Sequence, residues 1–240
     1  MKNKLGYIKV IFMIVLFIAI ASFSFNRNRG RNIKSIDIKF QQEKQLFIEK
    51  TAVNKLLIQN DQPVKEVKLE DLDLNKVESQ LESHPMIENA EVYVDLDNCL
   101  HTDIKQRKPI VRVIGKDEFY IDSRGEIMPL SKKYSARVPI ILGLDKKDTI
   151  SAFALIKTIR NDNFFNEQTT LIKSYPKNLY SLKLRSHDFD VFVGKPENLE
   201  QKFKNFKAFY VKAKKDSLLG LYKSVDLQYG KQVVCKKIDS

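Results

Sequence analysis

Between Leu74 and Val113 the apolar period of the chain changes, and that change limits what the segment can become. Leu74, Val77 and Leu81 recur at spacings of three and four, the signature of one helix face. After Ser83-His84-Pro85, the residues Ala90, Val92, Val94 and Leu96 alternate with polar ones, as in a strand with one buried side. Asp97-Asn98 is a turn pair, and Leu100, Thr102 and Ile104 resume the alternation, so the two strands are expected to form a hairpin. Lys108-Pro109 ends the run and a further strand, Ile110 to Ile114, begins. A helix on an antiparallel hairpin is a small two-layer unit, and no catalytic motif interrupts it. It reads as a docking module.

Upstream, Ile36, Ile38 and Phe40 alternate with Ser35, Asp37 and Lys39 and predict a first strand. Leu46 to Ile58 reads as a helix with Phe47, Val53, Leu56 and Leu57 near one face. The first region thus runs strand, helix, helix, strand, strand.

The second region is strand-rich, with candidates at 109–114, 119–122, 125–130, 138–142, 171–175, 179–184 and 189–194. Asp122-Ser123-Arg124-Gly125 is a short hairpin connection with glycine where positive φ is expected. Thr149 caps a predicted helix to Asn161, with Ile150, Phe153, Ala154 and Ile159 among its apolar positions. Pro196 is placed in the first turn of another, which carries Leu199, Phe203, Phe206, Phe209, Tyr210 and Ala213. The lysines among them, Lys202, Lys204, Lys207, Lys212, Lys214 and Lys215, are read as that helix's solvated face. Ser224 to Tyr229 alternates once more, Gly230 turns the chain, and Lys231 to Lys236 forms the last strand.

The formal charge of +12 suggests nucleic acid until its placement is considered. Residues 1–34 hold Lys2, Lys4, Lys9, Arg27, Arg29, Arg31 and Lys34 and no acid, leaving 35 bases against 30 acids in the remaining 206 residues. The excess flanks Val10 to Phe25, sixteen uncharged residues continued by Leu5 to Ile8 beyond Lys9. A spanning helix takes roughly 20 apolar residues, and a lysine near its end can reach the headgroups. The competing reading is a cleaved signal peptide ending at Ala19-Ile20-Ala21. The anchor is favoured because apolar residues continue through Phe23 and Phe25 into a basic cluster. Charge bias does not choose the orientation; the nine-residue head favours an inside N-terminus. Both readings place residues 26–240 outside the cytoplasmic membrane and argue against nucleic acid as a partner.

Catalysis finds no support. His84, His101 and His187 stand in no HExxH or comparable spacing, Cys99 and Cys235 form no cluster, and no metal or cofactor is expected. The two cysteines are expected to stay separate. Ser186-His187-Asp188 resembles a triad only in print, since neighbours on a strand point to opposite faces. Asp95 and Asp97 are turn formers rather than an acid–base pair. With no phosphate-cradling loop or small-molecule site in view, binding through sheet edges remains, and Lys231, Lys236 and Lys237 on the last strand would favour an acidic partner.

A helix ending in His84-Pro85-Met86-Ile87, a hairpin, a Lys-Pro strand and the turn Tyr120-Ile121-Asp122-Ser123-Arg124-Gly125 together resemble the bacterial cell-division family FtsQ/DivIB. The resemblance implies an α+β protein: a short cytoplasmic head at 1–9, a single transmembrane helix at 10–25, and a basic linker at 26–32. A POTRA-like βααββ domain at 33–107 and a mixed β-sheet domain with two or more helices at 108–240 would follow. It implies a non-enzymatic divisome scaffold at the septum, anchored in the cytoplasmic membrane with its body in the periplasm. The implied partners are FtsB/DivIC-like and FtsL-like single-pass division proteins, bound through Ser224, Val225, Leu227, Tyr229, Gly230, Val233, Val234 and Cys235. The last of these departs from the aromatic that often stands there in the family. The alternative is a POTRA-containing assembly or secretion factor of the envelope, which would ordinarily need a downstream barrel of repeated amphipathic strands.

Overall fold

The computed structural model describes residues 2–28, 31–41, 47–59, 62–230 and 232–238; within these, the side chains of 2–8, 24–28, 58 and 59 are not described. Contacts divide the chain into two compact units, 1–106 and 107–240.

The first unit begins with α1 (Lys2–Asn28), whose apolar side chains from Val10 to Phe23 are exposed. Among the described residues no helix is long and apolar enough to cross a membrane, the described side chains of α1 covering only residues 9–23. After it come β1 (Ser35–Phe40), α2 (Lys50–Leu56), the short pair β2 (Ile58–Gln59) and β3 (Gln62–Pro63), α3 (Leu74–Glu82), β4 (Ile87–Val94) and β5 (Cys99–Gln106). The main sheet has the order β1-β5-β4, with β1 parallel and β4 antiparallel to β5. Val77 and Leu81 of α3 are buried with Ala90, Val92, Leu100 and Ile104 of the sheet, the set that the period change predicts. Asp73 caps α3 by accepting from the Lys76 N–H at 3.1 Å.

Two local expectations are corrected by the structure. The predicted helix from Leu46 to Ile58 shrinks to α2, Leu46 itself lying outside the described residues. The buried side chain of Gln106 instead accepts from the N–H groups of Phe47 and Ile48, at 2.7 and 3.3 Å, and Ile58 pairs with Pro63. Leu96 is not inward: it is 95% exposed on the turn, which closes through Asn98 N–H to Asp95 C=O with Asn98 at φ 63°. The outer edge of β4 is blunted by α3, because Glu82 Oε1 and Glu78 Oε1 accept from the N–H groups of Ala90 and Val92 at 3.1 and 2.7 Å.

The second unit is built on a nine-stranded sheet. Its strands are β6 (Pro109–Ile114), β7 (Phe119–Asp122), β8 (Ile127–Met128), β9 (Ile140–Leu142), β10 (Thr169–Tyr175), β11 (Leu179–Leu184), β12 (Asp190–Gly194), β13 (Tyr222–Asp226) and β14 (Val234–Lys237). They lie in the order β14-β13-β12-β11-β10-β9-β6-β7-β8. Pairings of β9 with β6 and β10, and of β12 with β13, are parallel; the others are antiparallel. Parallel pairing needs crossovers: α4 (Thr149–Asn161) and α5 (Asn163–Gln168) connect β9 to β10, α6 (Leu199–Lys215) connects β12 to β13, and β7 and β8 lie between β6 and β9 in the chain. These helices and the sheet share one apolar cluster, in which Phe165 stacks on Phe203 at 3.8 Å between ring centroids.

Four expectations change in this unit. The strand predicted at 125–130 is reduced to β8, since Pro129 has no N–H to continue the ladder. Thr149 is the first residue of α4 rather than its cap, and Ile150 is 87% exposed while Ala152, Leu155 and Ile156 face the core. α6 starts after Asn198, held at φ 52°, so Pro196 precedes it. Lys202 is no part of the solvated face. It is 7% exposed, and its ammonium donates to the carbonyls of Val193 and Lys195 at 2.9 and 2.8 Å, with burial pushing its pKa below the usual lysine range.

Candidate functional site

The end of the sheet formed by β12, β13 and β14 holds all eight residues expected to bind a partner. Parallel pairing sets Val225 opposite Val191, and antiparallel pairing sets it opposite Cys235. Past Asp226 the chain leaves β13 and crosses the end of β12. Leu227 N–H donates to Phe192 C=O at 2.8 Å, and a Cβ on Gly194 would stand 2.6 Å from Gln228 Cγ. Gly194, at φ 73°, is what allows so close a crossing.

The following loop is tied at several points. Asp226 accepts from both the backbone and side-chain N–H groups of Gln228, at 2.8 and 3.1 Å. Asn205 of α6 donates to Gly230 C=O at 2.9 Å, and Lys202 fixes α6 to the end of β12. The loop is thereby held in place while Tyr229 remains 58% exposed.

The eight residues separate by burial. Val225 and Leu227 lie in the core and position the edge; Ser224, Val233 and Cys235 are half-buried; Tyr229, Gly230 and Val234 are exposed. Both cysteines are free thiols, and burial pushes the Cys235 thiol pKa up. Among the described residues no strand pairs with the outer side of β14. Lys223, Lys236 and Lys237 are exposed beside it, Lys231 lying outside the described residues. Leu221 and Ile238, outside the eight expected residues, are also exposed and apolar, and are joined by an Ile238 N–H to Leu221 C=O bond of 2.9 Å. Their only trace in the sequence is an apolar residue at each end of the paired run. An open cleft of about 860 Å³, lined by Ala154, Thr158, Leu199, Lys204 and Gly230 among others, adjoins the loop.

The Ser186-His187-Asp188 run forms no triad. Ser186 Oγ donates to Gln168 Oε1, while His187 Nε2 bonds the Tyr210 hydroxyl at 2.8 Å and the ring stacks on Phe189. The His84-Pro85-Met86 motif is also structural, His84 Nδ1 accepting from Met86 N–H at 3.2 Å. Burial lowers the pKa of both imidazoles, with Lys214 adding to the effect at His187. Each is thus harder to protonate folded than unfolded, where imidazole titrates near 6.5. Their contribution to stability is complete above about pH 6.5 and is lost as pH falls through the lowered folded values. Urea midpoints are expected to drop between about pH 7.5 and 5.5, and His84→Asn with His187→Asn to flatten that drop.

No curated protein matches the chain. Residues 32–105 match the family described as POTRA-like domain, and residues 108–236 match the one described as FtsQ/DivIB, C-terminal related. The second match takes in the whole strand ladder from β6 into β14 and covers more than half of the chain, which therefore belongs to the FtsQ/DivIB C-terminal-related family of cell-division scaffolds.

Proposed function

We propose that this protein is a membrane-anchored, non-enzymatic scaffold that gathers division proteins at the septum through the β14 edge. The observation that carries the reading is that edge itself: unpaired on its outer side among the described residues, flanked by the exposed Tyr229 and Val234, and bordered by lysines. A partner segment adding a strand would satisfy the outward backbone groups, and its acidic residues would meet Lys223, Lys236 and Lys237. The partner class is an FtsB/DivIC-like protein, together with its FtsL-like companion. An anchor at Val10–Phe25, continued by Leu5 to Ile8, is supported by the uncharged stretch in the sequence and the exposed apolar side chains of α1. With the N-terminus inside and the body outside the cytoplasmic membrane, anchoring would raise the effective concentration of partners held in the same layer. Recruitment of this kind requires no chemistry at the site.

The test is depletion in growing cells while a fluorescent fusion is imaged. The expected result is a mid-cell signal and filaments with unfinished septa. A uniform envelope signal, with normal division but lost outer-membrane proteins, would replace this reading with a POTRA-containing assembly factor.

A further inference from the structure

The outer face of the first sheet gathers four chemically distinctive side chains that the edge-binding role does not use. Cys99 and His101 are two apart on β5, so both side chains leave the same face, opposite to Leu100. Asp95 sits where β4 ends, its N–H donating to Cys99 C=O at 3.1 Å. The ligand atoms of Asp95, Cys99 and His101 all lie within 4.8 Å of one another. Parallel register sets Asp37 of β1 opposite His101, and antiparallel register sets Tyr93 on its other side.

We propose that Asp95 Oδ2, Cys99 Sγ and His101 Nε2 form a zinc site, with Asp37 as the carboxylate behind the histidine and water in the fourth position. Thiolate, imidazole and carboxylate are the donors that zinc takes, and three protein ligands leave a tetrahedral ion one open place. Two features organise the set in advance. Asp95 Oδ1 is already engaged by the N–H groups of Asp97 and Cys99 at 2.9 and 2.8 Å, which leaves Oδ2 turned toward His101 at 2.9 Å. The imidazole is stacked on Tyr93 at 5.0 Å, and its buried Nδ1, which makes no hydrogen bond, has Asp37 Oδ2 3.5 Å away. Zinc-bound histidines characteristically present the second ring nitrogen to such a carboxylate.

Binding follows a definite proton balance. Without the ion, His101 donates Nε2–H to Asp95; with it, the ring carries its proton on Nδ1, toward Asp37, and the freed Nε2 lone pair takes the metal. Cys99 gives its thiol proton to solvent and binds as thiolate. Metal bonds of about 2.0–2.3 Å set ligand atoms roughly 3.3–3.8 Å apart, so the 2.9 Å Asp95–His101 pair would open slightly while wider pairs, none beyond 4.8 Å, would close.

The experiment titrates Co²⁺, then Zn²⁺ against a chromophoric chelator, into the full chain in detergent after chelator treatment. One equivalent of cobalt is expected to produce a thiolate-to-cobalt charge-transfer band. Cys99→Ser should abolish it and weaken zinc at least tenfold; His101→Ala, which leaves the thiol in place, should weaken zinc by as much. Asp37→Asn should weaken zinc by about 10–100-fold, and Cys235→Ser should change nothing. The proposal is overturned if the wild-type chain gives no such band, if the band survives in Cys99→Ser, or if Cys235→Ser removes it. Unchanged zinc affinity in His101→Ala would overturn it equally.

Discussion

Replacing Asp122 with alanine is expected to lower the stability of the second unit by about 3–5 kcal/mol, the cost of removing a buried carboxylate that accepts from an arginine and two N–H groups. Asp122 is 1% exposed. Its Oδ2 accepts from Arg107 Nη1 at 3.0 Å, and its Oδ1 accepts from the N–H groups of Arg124 and Glu126 at 2.9 and 2.8 Å. The turn it organises also needs Gly125 at φ 89°, with the Phe153 ring 3.0 Å from where a Cβ would stand. Alanine would remove three accepted hydrogen bonds at once, one from the Arg107 guanidinium and two from N–H groups of the turn. For a unit of this size the loss corresponds to a fall in Tm of roughly 10–20 °C. Asp122→Asn, which keeps a carbonyl oxygen for the turn but loses the charge, should fall less. Thermal scans followed by circular dichroism decide the matter: an Asp122→Ala chain melting within about 2 °C of wild type would mean the pair carries no net stability. The result would also give the Tyr120-to-Gly125 motif a structural meaning.

Tyr229→Ala is expected to act in the opposite sense, leaving the melting transition in place and weakening partner binding by about 30-fold. That factor corresponds to about 2 kcal/mol, the threshold of an interfacial hot spot, where tyrosine is enriched. Tyr229 is exposed on a loop held by Asn205 and Asp226 and is not among the core residues, so its removal should cost the fold little. Val225→Ala is the contrasting substitution. Val225 is fully buried, and its truncation should cost roughly 2 kcal/mol of stability, affecting binding only through the position of the edge. Calorimetric titration with a soluble segment of the proposed FtsB/DivIC-like partner separates the two. Equal affinity of wild type and Tyr229→Ala would remove the tyrosine from the interface.

What could be read in the sequence followed the period of its apolar residues. The hairpin of β4 and β5 emerges from alternation and α3 from three-four spacing, because those patterns express the backbone's own repeat. The errors fall where a distant residue overrides the local pattern. Gln106 satisfies the N–H groups of Phe47 and Ile48 from the far end of the first unit, and the helix predicted there does not extend to them. Ile150 fits the helical pattern of α4 yet faces solvent, since the side of α4 that is buried depends on where the sheet lies.

At the proposed binding edge, the alternation of Val225 and Leu227 was visible in the chain, but which residues remained exposed was not. That depended on β13 pairing with β12 and β14, and on the chain crossing Gly194. Lys202 reads as one more surface lysine until the carbonyls of Val193 and Lys195 are placed beside it. Asp95, Cys99 and His101 match no ligand spacing, and only the hairpin turn and the neighbouring β1 draw them together with Asp37. The sequence by itself determined the elements, the α+β class and the resemblance to FtsQ/DivIB, because helical and strand periods are properties of neighbouring residues. Strand order, the open edge and the burial of single polar groups were decided only by the tertiary structure, because they arise from pairings between residues far apart in the chain.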